Sequence, residues 1–428
     1  MRGRSSGAIL IPFLLLVAPL ALAPSAASAA VRSGGSVSYG RVPAPSAVVT
    51  PDVVTLEKRA LLPADATSPG PWDAATNAEP DLSAPGGDQP VGGFSALVKD
   101  ARGRLWAMPD NGFGAKANSH SFLLRVYQVE PAWETAKGGK GTVAVRSSIT
   151  LSDPRHRIPW PIVTEGTKDR LLTGSDFDIE SVRPMPDGTW WFGEEFGPFL
   201  LHVDAQGRLL EAPVPTPGVN SPDSPLLAPG VTANLARSNG FEAMALGPDG
   251  HRLLPVLEGP LTGQDPLERT MFEYDLRSRS WTGRFWTYPM SRPDTLVSDL
   301  TALDAHRFVA LERDNGQGAA AQWKKAFVID LRDTDASGHL VKTEVADLLA
   351  IADPAEISLP AREGDLGLGT AFSMPYVTIE AVLPLSLDRD GARLAIVNDT
   401  NFGSTGRNPA LPDDSDFIVI SVPGLKVR

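Results

Sequence analysis

The stretch GSDFDIESVRPMPDGTWWFGEEFGP, residues 174–198, places six carboxylic acids around a short apolar run, Trp190-Trp191-Phe192. The apolar run is typical of a buried strand. The pair Asp187-Gly188, just before that run, is typical of a tight turn between two strands. Residues 174–198 therefore predict two adjacent strands joined by a turn, with acids before the first strand and after the second.

The same pattern recurs at residues 92–114, 239–261, 297–318 and 377–403. Each copy has an apolar strand, a turn usually marked by glycine, a second apolar strand and an acid-rich end followed by glycine. The sequence that follows each of the first four copies predicts about two more strands per unit. This repeat predicts an all-β fold, a single β-propeller of four-stranded antiparallel blades.

Five repeats indicate five blades, or six if the long gaps at 152–175 and 350–376 hold a degenerate blade. The last repeat is followed by a single strand-like segment, residues 416–425, so one strand of its blade is missing. We expect the N-terminal segment VVTLEKRALLP, residues 53–63, to supply that strand and to close the ring by pairing the chain ends. A two-sheet sandwich, the alternative architecture, explains the repeat poorly.

The N-terminus predicts export. Residues 1–30 combine two arginines, a long apolar run and small residues, which is the pattern of a secretory signal peptide. An uncleaved anchor helix is the alternative, which Pro12 and Pro19 disfavour because they interrupt the apolar run. Residues 31–47 are interpreted as a flexible lead and residues 48–428 as the propeller domain, so we expect a secreted or cell-envelope protein without a membrane span after cleavage.

Composition excludes several classes of function. The net charge of −12 disfavours nucleic acid and anionic lipid as partners. The absence of cysteine excludes disulfides, thiol catalysis and thiolate-bound zinc. The sequence also has no G-x-S-x-G nucleophile motif, no H-E-x-x-H zinc motif and no dinucleotide fingerprint. We expect a monomer that acts on a small molecule.

The repeat predicts that acids from every blade converge on one mouth of the central channel, because equivalent positions of propeller blades face the same part of it. One predicted column follows the large apolar residue of each first strand, and the other lies at the end of each second strand. The first column is Ser95, Glu180, Glu242, Thr301 and Glu380. The second column is Asp110, Glu195, Glu258, the cluster Glu312-Arg313-Asp314, and Asp399, with Asn111 and Asn398 beside it.

Buried carboxylates that stand side by side have to protonate or be neutralised, and outside the cell Ca²⁺ suits such oxygen ligands best. The predicted metal ligands are Glu180, Glu195, Glu242, Glu258, Glu380 and Asp399. Possible additional site residues are Asp110, Asn111, Asp176, Glu194, Glu312, Asp314 and Asn398. Neighbours on a strand face opposite ways, so only one of Glu194 and Glu195 can belong to the cluster, and the alignment of the repeats favours Glu195. The alternative is that these acids only pair or lock the blades together.

The chain resembles the secreted phytase-like family, described as having the esterase-like activity of phytase. The motifs that carry this resemblance are VGGFSAL…AMPDNG, DFDIESV…GEEFGP, NGFEAMALGPDG, ALERDNG and TIEAVLPL…NDTNFG, which span about residues 90–403. The resemblance implies a β-propeller with repeated Glu and Asp positions that acts on phosphate esters. Calcium-dependent propeller phytases are similar in architecture, but their Lys/Arg-rich phosphate pocket has no counterpart in this sequence, which puts phytate itself in question as the substrate.

The leading hypothesis is an exported, metal-dependent hydrolase of phosphomonoesters or phosphodiesters. In it, Ca²⁺ neutralises the phosphate, Asp178 acts as general base and Arg313 stabilises the developing negative charge. One alternative is a calcium-dependent lactonase or carboxylic-ester hydrolase. The other is an extracellular propeller that binds a ligand without catalysis.

Overall fold

The computed structural model describes residues 53–70 and 87–427, which belong to one compact unit, Thr50–Arg428. The predicted signal peptide and flexible lead lie outside the described residues. The fold is all-β, as the repeat predicts: within the described ranges the one helical turn is the 3₁₀ segment Gly318–Ala320. No helix in these ranges has the length and apolarity needed to cross a membrane.

The strands are numbered in chain order. They are β1 Thr55–Leu62, β2 Thr67–Gly70, β3 Gly87–Pro90, β4 Phe94–Lys99, β5 Leu105–Pro109, β6 Arg125–Ala132, β7 Glu134–Thr135, β8 Thr142–Thr150, β9 Ile179–Pro184, β10 Trp190–Glu194, β11 Phe199–Val203, β12 Val214–Pro215, β13 Ala243–Leu246, β14 Arg252–Val256, β15 Glu268–Asp275, β16 Ser280–Pro289, β17 Leu296–Ala302, β18 Arg307–Arg313, β19 Lys324–Thr334, β20 Leu340–Asp347, β21 Ile351–Ala352, β22 Ala371–Phe372, β23 Thr378–Leu387, β24 Ala392–Asp399 and β25 Ser415–Val422.

The strands form antiparallel meanders arranged around a common axis. Three sheets have four strands each, with the orders β9-β10-β11-β12, β13-β14-β15-β16 and β17-β18-β19-β20. A larger sheet joins β4-β5-β6-β8 to β23-β24-β25 through β1. The first strand of each meander contacts the first strand of the next, in the order β4, β9, β13, β17 and β23, and β23 contacts β4. This circuit of first strands makes the molecule a β-propeller.

The apolar strands of the repeat are buried because each lies between neighbouring sheets. All five residues of β10 and all seven of β18 are buried. The rings of Trp106 in β5 and Trp190 in β10 meet edge to face across two sheets, with centroids 5.5 Å apart. Asp187 belongs to the turn between β9 and β10, as predicted. Its Oδ1 accepts hydrogen bonds from the backbone N–H and the hydroxyl of Thr189.

The N-terminal strand β1 lies against the last strand of the chain. It pairs antiparallel with β25 from Thr55↔Ser421 to Leu62↔Ser415, and it also meets β8 at one bridge, Leu61↔Thr142. Within the two long gaps, the described residues form isolated bridges at 152 and 171 and the two-residue strands β21 and β22.

A buried ion pair fastens β1 to β25. Arg59 Nε and Nη2 donate to the carboxylate of Asp416 at 3.0 and 2.9 Å, and Asp416 is fully buried. Arg407 Nη2 and the Tyr376 hydroxyl donate to the same carboxylate at 3.3 and 2.8 Å. The Arg59 and Arg407 guanidinium groups also lie 5.6 and 4.9 Å from the Phe372 ring. Asp416 therefore has donors for both of its oxygens, as a buried charge requires.

Candidate metal centre

An acidic cavity lies where the first strands begin and the second strands end. It encloses about 190 Å³. Its lining residues are Asp110, Asn111, Gly114, Asp178, Glu180, Glu195, Ser238, Glu242, Glu258, Arg313, Thr378, Glu380, Asp399 and Asn401. Eight of them are carboxylic acids and a single one, Arg313, is a cation. All six predicted metal ligands and both predicted catalytic residues line this cavity.

A bulge in three of the first strands turns members of the first column: Glu180 and Glu380 line the cavity, whereas Ser95 does not line it and donates to Glu380 Oε2 at 3.4 Å. The register shifts between Phe94 and Ala96, and between Ile379 and Ala381, so Ser95 and Glu380 are the extra residues. In β9 the register skips Glu180 in the same way, because Gly193 pairs with Ser181 and Glu194 pairs with Ile179. Bulges re-aim side chains and are common beside functional sites.

In β17 the structure corrects the first column: the predicted residue lies three positions after the true equivalent. The bulge in β17 lies between Val297 and Asp299, so Ser298 is the equivalent of Glu180 and Glu380. The predicted member, Thr301, instead accepts a hydrogen bond from Arg183 Nη2 at 2.9 Å. The pair Val297-Ser298 matches Phe94-Ser95 in residue type, which is the signal that locates the correct position.

The carboxylates form two groups that share Glu180. Oxygens of Asp110, Asp178 and Glu180 lie within 4.8 Å of one another, and so do oxygens of Glu180, Glu242 and Glu380. The second strands bring in the remaining acids: Glu195 follows β10, Glu258 follows β14 and Asp399 ends β24. Carboxylate oxygens at these separations can surround one cation.

Arg313 occupies one side of the cavity. Its Nη2 lies 2.8 Å from Glu380 Oε1, 3.4 Å from Glu242 Oε1 and 3.5 Å from Glu258 Oε1. Burial disfavours the charge of this guanidinium, but the three carboxylates outweigh burial and raise its pKa. Among the described residues, the ion pairs of the cavity belong to Arg313 and its three partners, so the group Asp110–Asp178–Glu180 has no positive counter-charge.

The electrostatics of the cavity favour proton uptake or cation binding. Burial raises the pKa of Asp178 to about 7 and that of Glu258 to about 7. Burial, reinforced by neighbouring carboxylates, raises the pKa values of further acids well above their ordinary range: Asp110, Glu180, Glu195, Glu242 and Asp399. Each neighbour's charge makes the next ionisation harder, and a bound divalent cation removes that penalty.

Two carboxylate oxygens in the cavity have no hydrogen-bond partner among the described residues. They are Asp178 Oδ1 and Glu195 Oε1, and each residue is 4% exposed. A buried oxygen without a donor is costly, so these atoms fit a site that takes up a cation. The donor set, hard oxygens without sulfur or histidine, fits Ca²⁺ better than a transition metal.

Several predicted site residues lie outside the cavity because backbone or basic groups already take their oxygens. Glu194 accepts from the backbone N–H groups of Phe196, Gly197 and Phe199 at 2.6–2.8 Å. Asp176 accepts hydrogen bonds from the backbone N–H of Val163 at 2.8 Å and from the backbone N–H of Thr173 at 2.9 Å. Both carboxylates therefore hold loop backbone in place.

The remaining predicted residues outside the cavity also have structural partners. Glu312 accepts from the Tyr288 hydroxyl at 2.7 Å and from Lys342 Nζ. Asp314 lies 2.9 Å from Lys324 Nζ and also accepts from backbone N–H groups at 322 and 323. The side chain of Asn398 accepts from the N–H of residue 416 at 2.7 Å.

Four cavity residues were not predicted, Gly114, Ser238, Thr378 and Asn401, and the last two contact a predicted ligand. Thr378 Oγ1 donates to Asp399 Oδ2 at 3.1 Å and accepts from Asn401 Nδ2 at 2.8 Å, and the N–H of Asn401 donates to Asp399 Oδ1 at 2.7 Å. These contacts fix the orientation of the Asp399 carboxylate. Thr378 precedes Glu380 by two residues, so strand alternation alone would have placed it on the same face.

A model of a known protein family matches most of the chain. The family model Phytase-like, described as "Esterase-like activity of phytase", matches residues 89–402. An "Uncharacterized secreted protein" of Arthroderma benhamiae is 23% identical over 238 residues, which are 45% of this chain and 44% of that protein. The chain therefore spans less than half the length of the curated relative it matches.

Solved propeller structures are similar at low sequence identity. The β-propeller domain of Cps50 (Swd1) from Myceliophteria thermophila is 10% identical with a TM-score of 0.36, covering 86% of this chain and 99% of that chain. The Dos1 propeller is 10% identical with a TM-score of 0.32, covering 81% of this chain and 73% of that chain.

Proposed function

This chain belongs to the Phytase-like family, and we propose that it is a secreted, calcium-dependent hydrolase of phosphate esters whose active site is the acidic cavity. The observation that carries the proposal is the charge of that cavity: eight carboxylic acids against one guanidinium, with the buried oxygens of Asp178 and Glu195 unpartnered. Such a site is costly to build for stability alone, and a cation together with an anionic substrate offsets the cost.

The proposed cation site is the group Asp110–Asp178–Glu180. Arg313 already supplies positive charge to Glu242, Glu258 and Glu380, so the missing charge belongs on the other side of the cavity. Glu242, Glu258 and Glu380, which the sequence assigned to the metal, are then proposed to hold Arg313 in place. When bound, Ca²⁺ supplies positive charge that polarises the ester and offsets the charge of the phosphate.

The other side chains of this cavity are proposed to take separate roles in the hydrolysis. Because Asp178 lies in the cation group, the role of general base, assigned to it from sequence, passes to Glu195, whose free Oε1 can accept a proton from the attacking water. Arg313 has a buried Nε without a partner among the described residues, and this N–H is proposed to stabilise the negative charge that develops on the ester oxygens. Asp399, held by Thr378 and Asn401, is proposed to complete the cavity wall.

The same proposal treats the ring as five-bladed. In it, β23, β24, β25 and β1 form the fifth blade, so the N-terminal strand closes the ring, and residues 48–428 form one domain. The protein is proposed to act as a monomer on a small-molecule ester, since the cavity needs no second chain to surround it.

Metal analysis and an ester screen test the proposal. The purified protein is expected to contain Ca²⁺, to hydrolyse a phosphomonoester or phosphodiester, and to lose this activity on chelation and regain it with Ca²⁺. Turnover that survives exhaustive chelation would contradict the metal dependence.

A calcium-dependent carboxylic-ester or lactone hydrolase is the second candidate. It is favoured by the engagement of Arg313, the one cation that lines the cavity, with three carboxylates, because this leaves no free basic side chain for a phosphate. Turnover of a lactone with phosphate esters untouched would select this reaction. Calcium binding that raises the melting temperature, with no turnover of either class, would indicate a ligand-binding propeller instead.

A further inference from the structure

Two loops carry a pair of cations to the mouth of the acidic cavity. Lys116 lies in the loop between β5 and β6, two residues after the cavity-lining Gly114. Arg237 lies in the loop between β12 and β13, directly before the cavity-lining Ser238. The chemistry proposed for the cavity uses neither residue.

Asp223 holds the two cations together. Lys116 Nζ donates to the backbone oxygen of Asp223 at 3.2 Å, and Arg237 Nη1 pairs with its carboxylate oxygen Oδ1. Lys116 Nζ also lies 5.4 Å from the ring of Phe196, the residue after Glu195. Burial lowers the pKa of Lys116, the carboxylates of Glu194 and Asp176 act in the opposite direction, and the charge of the neighbouring Arg237 lowers it.

Both side chains keep free donors. The Arg237 side chain is 64% exposed, and within the described part of the chain Nη1 is its one paired nitrogen. A guanidinium has five N–H donors and an ammonium has three, so most of the donors of this pair are unused. The carboxylate of Asp223 pairs with Arg237. Glu194 and Asp176 attract Lys116, but their oxygens accept backbone N–H groups, so among the described residues the Lys116 ammonium has no carboxylate as a direct partner.

Ser238, beside Arg237, has a backbone conformation that is uncommon for a residue with a side chain, with φ of +46°. The segment that follows is tightly packed, because a Cβ on Gly240 would lie 2.5 Å from the Cα of Glu195. The position of Arg237 is therefore tied to the cavity wall and is not that of a loose surface loop.

We propose that Lys116 and Arg237 bind an anionic substituent of the substrate, a phosphate or carboxylate separate from the ester group that enters the cavity. This inference rests on the proposed function and adds a substrate class: esters that carry a further oxyanion. The cavity repels such an anion through its unbalanced acids, so the cations at its mouth give the oxyanion a position outside that repulsion. The guanidinium suits the planar pairs of oxygens that both groups present.

The test compares two esters with the same scissile bond, one neutral elsewhere and one bearing an added phosphate or carboxylate. Lys116→Gln/Arg237→Gln is expected to raise the KM for the anionic ester about tenfold, because a charge-assisted hydrogen bond is lost. The kcat and the KM for the neutral ester are expected to stay unchanged. The matched control is Lys325→Gln/Arg332→Gln. Lys325 also lies over an aromatic ring and Arg332, 62% exposed, also pairs with an aspartate, but neither lies within two residues of a cavity-lining residue, as Lys116 and Arg237 do.

An equal change in KM for both esters, or none for the anionic ester, overturns the proposal. Arg237→Glu is the second variant if the double variant fails to fold, because its exposed side chain tolerates replacement and the reversed charge should raise the same KM further. Calorimetry with inorganic phosphate and with succinate tests anion binding by the cation pair independently of the proposed hydrolase activity. If the wild type hydrolyses no ester but binds either anion, and Arg237→Glu weakens that binding about tenfold, the cation pair stands although the hydrolase proposal fails. Unchanged anion binding overturns it.

Discussion

Glu180 is the residue on which the two groups of carboxylates depend, because its oxygens belong to both. Glu180→Gln keeps the size of the side chain and removes its charge. We expect Ca²⁺ affinity and kcat/KM to fall by about a hundredfold or more, since even partners of metal ligands contribute up to that factor. Metal titration and steady-state kinetics on the ester selected in the screen measure both effects.

Glu312→Gln is the matched control for this substitution. Glu312 is as deeply buried as Glu180 and the sequence assigned both to the site, but Glu312 contacts Tyr288 and Lys342 outside the cavity. Its replacement is expected to lower the free energy of unfolding and to leave metal affinity and kcat/KM unchanged. Equal losses of activity in the two variants would show that the cavity is not the active site.

At the residue scale, the sequence predicted which types of residue converge but not which way each side chain points. The sequence favoured Glu195 over Glu194 in the cluster, but it did not predict that the backbone N–H groups of Phe196, Gly197 and Phe199 hold the Glu194 carboxylate. The engagement of Arg313 with three acids likewise depends on a side-chain direction that a pattern of residue types does not contain.

At the scale of elements, the fastening of β1 to β25 can be tested with two ion pairs of different burial. Arg59→Met removes one partner of a buried pair and leaves Asp416 charged in the interior. We expect a loss of about 3–5 kcal/mol in the free energy of unfolding. Arg393→Met removes a pair with Glu57, also on β1, in which Arg393 is 42% exposed, and is expected to cost at most about 1 kcal/mol. Urea denaturation measures both.

Equal costs for these two variants would mean that the Arg59–Asp416 pair contributes no more than a surface contact. A double variant, Arg59→Met/Asp416→Leu, is expected to recover none of the loss, because Arg407, which is also buried, then has no carboxylate partner. Recovery would show that Arg407 does not depend on Asp416 to balance its charge.

The elements themselves were largely predictable, whereas their irregularities were not. Apolar runs and turn residues predicted the strands of each repeat, because burial between sheets and tight turns select those residue types. The bulges at Ser95, Glu180, Ser298 and Glu380 leave no periodic signal, and an alignment centred on Leu300 therefore misplaced the column in β17.

At the scale of the whole molecule, the convergence of acids follows from the ring. Repeats that place a polar side chain at the same position of each first strand bring these side chains together when the first strands form a closed circuit. A repeat in the sequence therefore predicts a cluster in the folded chain. The two cation-bearing loops were not predictable in this way, because Lys116, Asp223 and Arg237 lie outside the repeated strands.

The ring of acids also predicts how stability depends on pH. Asp178 and Glu258 have folded-state pKa values of about 7, above their unfolded values, so the stability they contribute is complete below about pH 4 and is lost as the pH rises through 7. The chelated protein is therefore expected to have a lower free energy of unfolding at pH 8 than at pH 5. Denaturant titrations at the two pH values measure this difference.

Calcium provides the control for that measurement. At about a hundredfold excess over its Kd, Ca²⁺ is expected to add about 2.7 kcal/mol at pH 8 and less at pH 5, where protons compete for the same oxygens. Stability that rises between pH 5 and pH 8 without calcium, or a calcium effect that is larger at pH 5, would contradict the raised pKa values of the cavity.

The pairing of β1 with β25 also sets an order of events for an exported chain. Arg59 and Asp416 are 357 residues apart, so β1 emerges from the export channel long before its partner. Until β25 has crossed, the edge of β1 that pairs with β25 is unpaired, which is the kind of surface that invites pairing with other chains. A chain that stalls before β25 has crossed is therefore expected to aggregate rather than to persist as a partial ring.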